Sequence, residues 1–364
     1  MTRPPFSTDI PALTDLMRSK PREVPVTSAL LAINLVVFAV MLVFGAGLWH
    51  SANGVQLAWG ANFGPATQDG QWWRLFTAMF IHFGLIHLAL NMFALWDIGR
   101  LVERLFGRTR YVLLYVGSGI IGNLLSLVLQ GNQAVSGGAS GAIFSLYGAL
   151  LVFLWRERKQ VEAGEFRWLF GGSVLFISLM LGMGFAMPGI DNAAHGGGLL
   201  AGILLGHVLL QPWTPHSATR PLSRALTAGL TACTLAALVL HIPQPKYLFG
   251  EELRARAAIE QFVNTDRALR ERYETLVGSG LKGAASFDAV AGGIDGNVAA
   301  GYERSFEQLQ AASPNSDAPS AQTLQQLQSY ANAQAQAARD VAQGFRSKDP
   351  ERIKKALGNT GKKP

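Results

Sequence analysis

The chain has 364 residues, 49% of them hydrophobic and 15% charged, against roughly 25% charged in an ordinary soluble domain. That balance excludes a disordered chain and a collagen-like repeat, and a single cysteine excludes a disulfide-stapled secreted module. The net charge of +7 is unevenly spread, because residues 243–364 hold 30 of the 55 charged side chains in one third of the length. The asymmetry describes a membrane protein with a polar tail. Its remaining basic residues fall between apolar runs, as in loops facing anionic lipid, and not in a nucleic-acid-binding patch.

Residues 1–25 are polar, carry Arg3, Arg18, Lys20 and Arg22, and lack the short apolar core of a signal peptide. Apolar runs then follow at 29–49, 75–98, 111–129, 139–155, 168–188, 193–211 and 225–242. Each is long enough, or nearly so, to cross a hydrocarbon core of ~30 Å at ~1.5 Å per helical residue. The fold class this predicts is an all-α membrane protein with a seven-transmembrane bundle. Basic residues crowd three loops: Arg100, Arg104, Arg108 and Arg110; then Arg156, Arg158, Lys159 and Arg167; then Arg220 and Arg224. The alternate loops, 50–71, 130–138 and 189–192, have no Lys or Arg. The positive-inside rule makes the N-terminus cytoplasmic and puts the tail outside. Trp49, Trp59, Trp72 and Trp73 gather at the outward ends, and Cys233, in the last apolar run, is expected to be inert packing.

The tail reads as helix over 251–277 and 320–356, rich in Ala, Gln, Glu, Arg and Leu, with a glycine-dotted stretch at 278–296 and a loop at 312–320. A frayed basic end is expected from Lys354 to Pro364. The chain thus divides into a cytoplasmic segment (1–25), a membrane core (26–211), a linker with the seventh helix (212–243) and a helical soluble region (244–364).

Polar residues inside apolar runs are costly, so each needs a reason. Ser140 lies in Gly138-Ala139-Ser140-Gly141, where glycines permit a tight turn and a close approach. From Gly141 to Trp155 there is only about 22 Å of helix, which sinks Ser140 below the outer surface at a helix N-terminus. A hydroxyl there can act as a nucleophile or merely cap the helix. His195 enters from the same side, followed by Gly198, Gly202 and Gly206 at four-residue spacing, a smooth stripe for a close helix neighbour. It can serve as a general base toward Ser140 or as a structural histidine. Asp191 precedes it by four residues and can orient it as a third member, but the expected reading is a loop residue facing water. His87 and Asn91 share a helical face and can donate to an oxyanion or bond between helices. A metal site of His82, His87 and His195 is a weaker alternative, with no carboxylate suitably near.

Together these motifs resemble the rhomboid intramembrane serine proteases over roughly residues 24–211. The matching pieces are Trp73-Arg74, His82/His87/Asn91, Gly99-x-x-x-Glu103-x-x-x-Gly107, Gly138-Ala139-Ser140-Gly141 and Ala194-His195-x-x-Gly198-x-x-x-Gly202. The resemblance implies a six-plus-one helix layout with Ser140 as nucleophile and His195 as base, in a dyad without an acid. It implies that His87, Asn91 and the Ser140 amide stabilise the oxyanion. Arg74 would brace the first outward loop, and Glu103 the connection between the second and third helices. A tyrosine common four residues after the nucleophile is here Phe144. The implied activity is cleavage of single-pass transmembrane proteins near the outer face of a bacterial inner membrane, with no cofactor and no nucleic acid. The alternative is a silent relative that holds transmembrane segments without cutting them. A transporter would favour an inverted repeat, and none is evident between the halves.

Overall fold

The computed structural model describes residues 12–359, apart from 132, 188, 215, 216 and 219. Arg3, with the rest of residues 1–11, and the end of the expected basic terminus, 360–364, lie outside the described residues. The chain is helical throughout, with no strand among the described residues beyond an isolated antiparallel bridge between Asn62 and Ser136. It forms two compact units, Met1–Pro245 and Lys246–Pro364.

The first unit runs through α1 (Leu13–Met17), α2 (Pro25–Val43), three short helices α3 (Asn53–Ala58), α4 (Gly64–Gln68) and α5 (Arg74–Thr77), and then six longer ones. These are α6 (Leu85–Phe106), α7 (Arg108–Gln130), α8 (Ser140–Glu157), α9 (Ala163–Ala186), α10 (Asn192–Leu209) and α11 (Pro221–Leu240). Pro25 starts α2 at a position where its missing N–H costs nothing. Gly107, at φ +75°, turns α6 into α7 in a left-handed conformation that other residues resist.

The second apolar run is not one helix from residue 75. Residues 74–80 form short turns, Ile81 is extended, and α6 begins only at Leu85. Backbone pairing explains the break: Leu85 N–H donates to the Leu48 carbonyl at 2.8 Å, and Ser51 N–H to the Phe83 carbonyl at 2.9 Å. Hydropathy runs through this segment without registering that its backbone is tied to the preceding loop.

Five helices, α2, α6, α7, α9 and α11, are long and apolar enough to cross a membrane. The other two long helices of this unit, α8 and α10, have 18 residues each and open on polar ends carrying Ser140 and His195. They lie deepest in the unit. α10 packs backbone to backbone, because a Cβ on Gly198 would strike the Gly141 carbonyl and one on Gly202 would strike the backbone of Ser145. Around them a core of Tyr111, Tyr115, Phe106, Leu95, Leu101 and Phe153 is fully enclosed. Large apolar groups point outward: Phe93 is 75% exposed, Phe185 86% and Leu240 81%. A patchwork of that extent suits lipid and not water. Cys233 is exposed on α11, so it is not the packed residue expected.

The second unit contains α12 (Phe249–Leu281), α13 (Phe287–Gly293), a π-helical turn (Ile294–Ala299), α14 (Ala300–Ala311), α15 (Ala321–Ser347) and α16 (Pro350–Asn359). Part of the glycine-dotted stretch is therefore helix. The long run to residue 356 breaks at Lys348, whose φ of 55° is left-handed, just before Pro350. Its core combines the alanines of α15 with larger groups such as Phe262, Val290, Ile294 and Tyr302, and Phe345 is fully buried in it.

Candidate active site

Ser140 is the first residue of α8 and is half-buried. No side chain caps this helix, so the capping reading of Ser140 is not what the geometry holds. Its Oγ lies 2.7 Å from Nε2 of His195, 55 residues further along the chain. The first backbone bond of the turn runs from Ile143 N–H to the Ala139 carbonyl at 2.9 Å, so the Ser140 amide has no helical acceptor. His195 is 8% exposed, and its ring stacks on Phe144 with centroids 4.5 Å apart and planes 7° apart. Phe144 and Ser140 are four residues apart on α8, which puts ring and hydroxyl on one face. The stacked ring fixes the plane of the imidazole. The other ring nitrogen, Nδ1, is buried and has no hydrogen-bond partner among the described residues.

A Ser–His hydrogen bond is not in itself a site. His207 Nε2 lies 3.1 Å from Ser223 Oγ at the far end of α10, but Ser223 belongs to the interior of the first turn of α11 and no ring stacking is described for His207. The Ser140 pair differs in combining a buried, stacked imidazole with a helix N-terminus.

His87 stands across Gly138 from Ser140. A Cβ built on Gly138 would lie 2.9 Å from His87 Nε2 and 3.6 Å from Ser140 Oγ, and the φ there is +131°. Glycine is therefore required twice at this position, for backbone and for space. The Phe83 N–H donates to His87 Nδ1 at 3.4 Å, a long bond that leaves Nε2 as the protonated nitrogen facing the Gly138 turn. Asn91 is buried and donates one amide proton to the His87 carbonyl at 2.9 Å, keeping its second proton. His82 is fully buried beside His87, with ring centroids 5.0 Å apart. Among the described residues no three His, Cys, Asp or Glu side chains converge as a metal site would need.

Asp191 is half-buried and not a free loop residue. It is the N-cap of α10, accepting the Ala194 N–H at 2.9 Å, and it also accepts from Ser126 and Gln130 of α7 at 2.5 Å each and from the Ser136 hydroxyl. It thus ties the helix that carries His195 to α7 and to the loop leading into Ser140, and does not touch the imidazole through a described bond. The missed signal is its position, since an Asp immediately before a helix is a favoured N-cap. Asn62 adds a second tie: its backbone exchanges both hydrogen bonds with Ser136 at 2.8 Å, and its side chain donates to the Asn123 carbonyl at 3.0 Å.

The motif residues around the site divide by role. Arg74 is 4% exposed and donates to the Leu57 carbonyl at 2.7 Å and the Ala61 carbonyl at 3.0 Å, which braces the loop before α6. Trp73 is half exposed, with the Arg74 guanidinium 4.7 Å from its ring centroid. Glu103 does not brace the α6–α7 connection. Its carboxylate accepts Val26 N–H at 3.1 Å, Thr27 N–H at 2.7 Å and the Thr27 hydroxyl at 2.8 Å, so it caps α2. Gly99 leaves room for the Tyr111 hydroxyl and Thr27 against α6.

A helical membrane bundle with a hydrogen-bonded Ser–His pair at a helix N-terminus narrows the class sharply. The model of the Rhomboid domain matches residues 69–212. YdcA of Bacillus subtilis (strain 168) is 36% identical over 152 residues, 42% of this chain and 73% of YdcA. The chain belongs to the rhomboid family and is an integral membrane protein. It is also similar to the rhomboid protease GluP of the same organism, 38% identical over 174 residues, 48% of this chain and 33% of GluP. RHOMBOID-like protein 6, mitochondrial, of Arabidopsis thaliana is 42% identical over 147 residues, 39% of this chain and 45% of the relative. The chain thus spans less than half the length of the latter two.

Proposed function

We propose that the chain is an intramembrane serine protease that cleaves single-pass transmembrane proteins near the outer face of a bacterial inner membrane. In this reading seven helices, α2 and α6 to α11, cross the bilayer, with the N-terminus cytoplasmic and the tail outside. Ser140 is the nucleophile and His195 the general base. The Ser140 hydroxyl donates to Nε2 of His195; as Oγ bonds to the scissile carbonyl carbon, that proton passes to Nε2 and the carbonyl oxygen becomes an oxyanion. His195 then gives the proton to the departing amine nitrogen, leaving an ester on Ser140. Water attacks the ester by the same exchange, and the hydroxyl is restored. The Ser140 amide, Nε2–H of His87 and the spare amide proton of Asn91 receive the oxyanion, at ~3–4 kcal/mol for a well-placed donor. Asp191 orients the helix and not the ring, so the pair works as a dyad.

One observation carries the reading: an imidazole stacked on Phe144, 2.7 Å from a hydroxyl at the mouth of a helix. A structural histidine needs neither the serine nor a glycine at 138 that lets His87 close on it. The test is the full chain reconstituted in liposomes with a labelled single-pass substrate. Cleavage is expected, with Ser140→Ala and His195→Ala each lowering it by at least about 1,000-fold. Cleavage that survives Ser140→Ala removes the nucleophile assignment. A folded wild type that binds the substrate and never cuts it supports the silent relative instead.

A further inference from the structure

At the end of the membrane unit opposite Ser140, a cavity of about 400 Å³ lies beside the α6–α7 corner. Arg104, Arg110 and Gln211 supply its polar lining, and no Asp or Glu lines it among the described residues. The rings of Phe153 and Trp213, centroids 4.6 Å apart, supply an apolar part. Arg110 donates to the Phe106 carbonyl at 2.7 Å and keeps its other N–H groups. Arg104 is exposed and has no hydrogen bond or ion pair among the described residues. The carboxylate of Glu103 is 2% exposed and accepts three hydrogen bonds from the start of α2, and among the described residues no ion pair joins it to either arginine.

The cavity also sits where α7 begins. Gly107 N–H is taken by the Glu103 carbonyl at 2.9 Å and Tyr111 N–H by the Gly107 carbonyl at 3.0 Å. The amides of residues 108–110 between them have no helical acceptor, and the positive end of a 23-residue helix faces the same place. Two guanidinium groups, free amides and an apolar wall converge at the junction of two helices that are both apolar enough to cross a membrane. Basic pockets between membrane helices at that depth take phosphate-bearing lipid headgroups.

We propose that this cavity binds the phosphate diester of an anionic glycerophospholipid, with Arg104 and Arg110 on the phosphate and Trp213, backed by the buried ring of Phe153, against the glycerol and upper acyl chains. A free phosphate would satisfy the arginines and leave the aromatic wall unused. The site is independent of Ser140 and does not require the chain to be a protease.

The test uses the full chain in a zwitterionic detergent, titrated with phosphatidylglycerol or with phosphatidylcholine of the same acyl chains, with bound lipid counted by native mass spectrometry. Phosphatidylglycerol is expected to bind at least tenfold more tightly. Arg104→Gln should weaken it about fivefold and the double Arg104→Gln, Arg110→Gln variant about twenty-fivefold, with a smaller loss for phosphatidylcholine, whose choline cation offsets the charge of its phosphate. Arg104→Lys should stay within about twofold of wild type. Equal binding of the two lipids, or unchanged phosphatidylglycerol binding in Arg104→Gln, overturns the proposal. Displacement of the lipid by millimolar inorganic phosphate would mean a free-anion site, and also overturns it. If the double variant does not fold, the single variant decides, since Arg104 holds no described contact that folding depends on.

Discussion

In the membrane unit, α11 is 20 residues of apolar helix with no buried residue, whereas in the tail α15 buries Ala331, Ala335, Ala338 and Phe345 and turns Gln322, Gln325 and Arg339 outward. The helices of the first unit meet through glycines, backbone against backbone, as at Gly198 on Gly141 and Gly202 on Ser145. Those of the second meet through interlocking side chains, with α15 setting alanines against Val290, Ile294, Tyr302 and other larger groups. The six Lys/Arg–Asp/Glu ion pairs described all lie in the tail. Lipid gives no hydrophobic reward for bringing two helices together, so close packing and satisfied polar groups must hold the membrane unit. Water rewards burial and solvates charge, so the tail is built inside out by comparison. A site that needs a buried imidazole beside a hydroxyl is accordingly found where glycine lets backbones touch.

The contrast can be broken or sharpened by substitution. The largest effect on stability is expected in the tail, where Phe345→Ala removes a fully buried ring packed against Phe287. It should cost about 3–5 kcal/mol, read as loss of a thermal transition, while cleavage by the membrane unit persists. In the membrane unit His87→Ala should lower turnover about 100- to 1,000-fold with little change in substrate binding. Unchanged turnover would remove His87 from the oxyanion role.

Next comes Gly198→Ala, which drives a methyl into the Gly141 carbonyl. A cost of about 1–3 kcal/mol and a fall in activity should appear together, because the same contact sets the distance from Ser140 to His195. An active, equally stable variant would show that the glycine stripe is not what holds the pair. The smallest effect belongs to Arg339→Gln, which breaks the exposed pair with Glu303 and should cost at most about 1 kcal/mol, measured by urea denaturation.

Ser140, His195, His87 and Asn91 stand out in the sequence as polar groups in apolar runs. The role of Asp191 is less legible, because its four-residue spacing from His195 fits an orienting carboxylate as well as the N-cap of α10 that it is. The role that the resemblance implies for Glu103, at the α6–α7 connection, differs from its hydrogen bonds, which go to Val26 and Thr27 at the start of α2 and are not legible from its position in the sequence. The start of α6 was misplaced by ten residues, since hydropathy reports which residues avoid water and not whether their amides pair locally or with residues 48–51.

Composition and hydropathy alone determined that this chain is a helical membrane protein with a polar helical tail, because the need to satisfy every backbone group in lipid leaves few other ways to bury such runs. Spacing alone marked the glycine stripe and the candidate side chains. Only the tertiary structure decided that Ser140 and His195, 55 residues apart, share a hydrogen bond, and that Phe144, Gly138 and His87 surround it. Contacts between distant segments depend on the packing of α8 against α10 in three dimensions, and a one-dimensional pattern does not contain that angle or that separation.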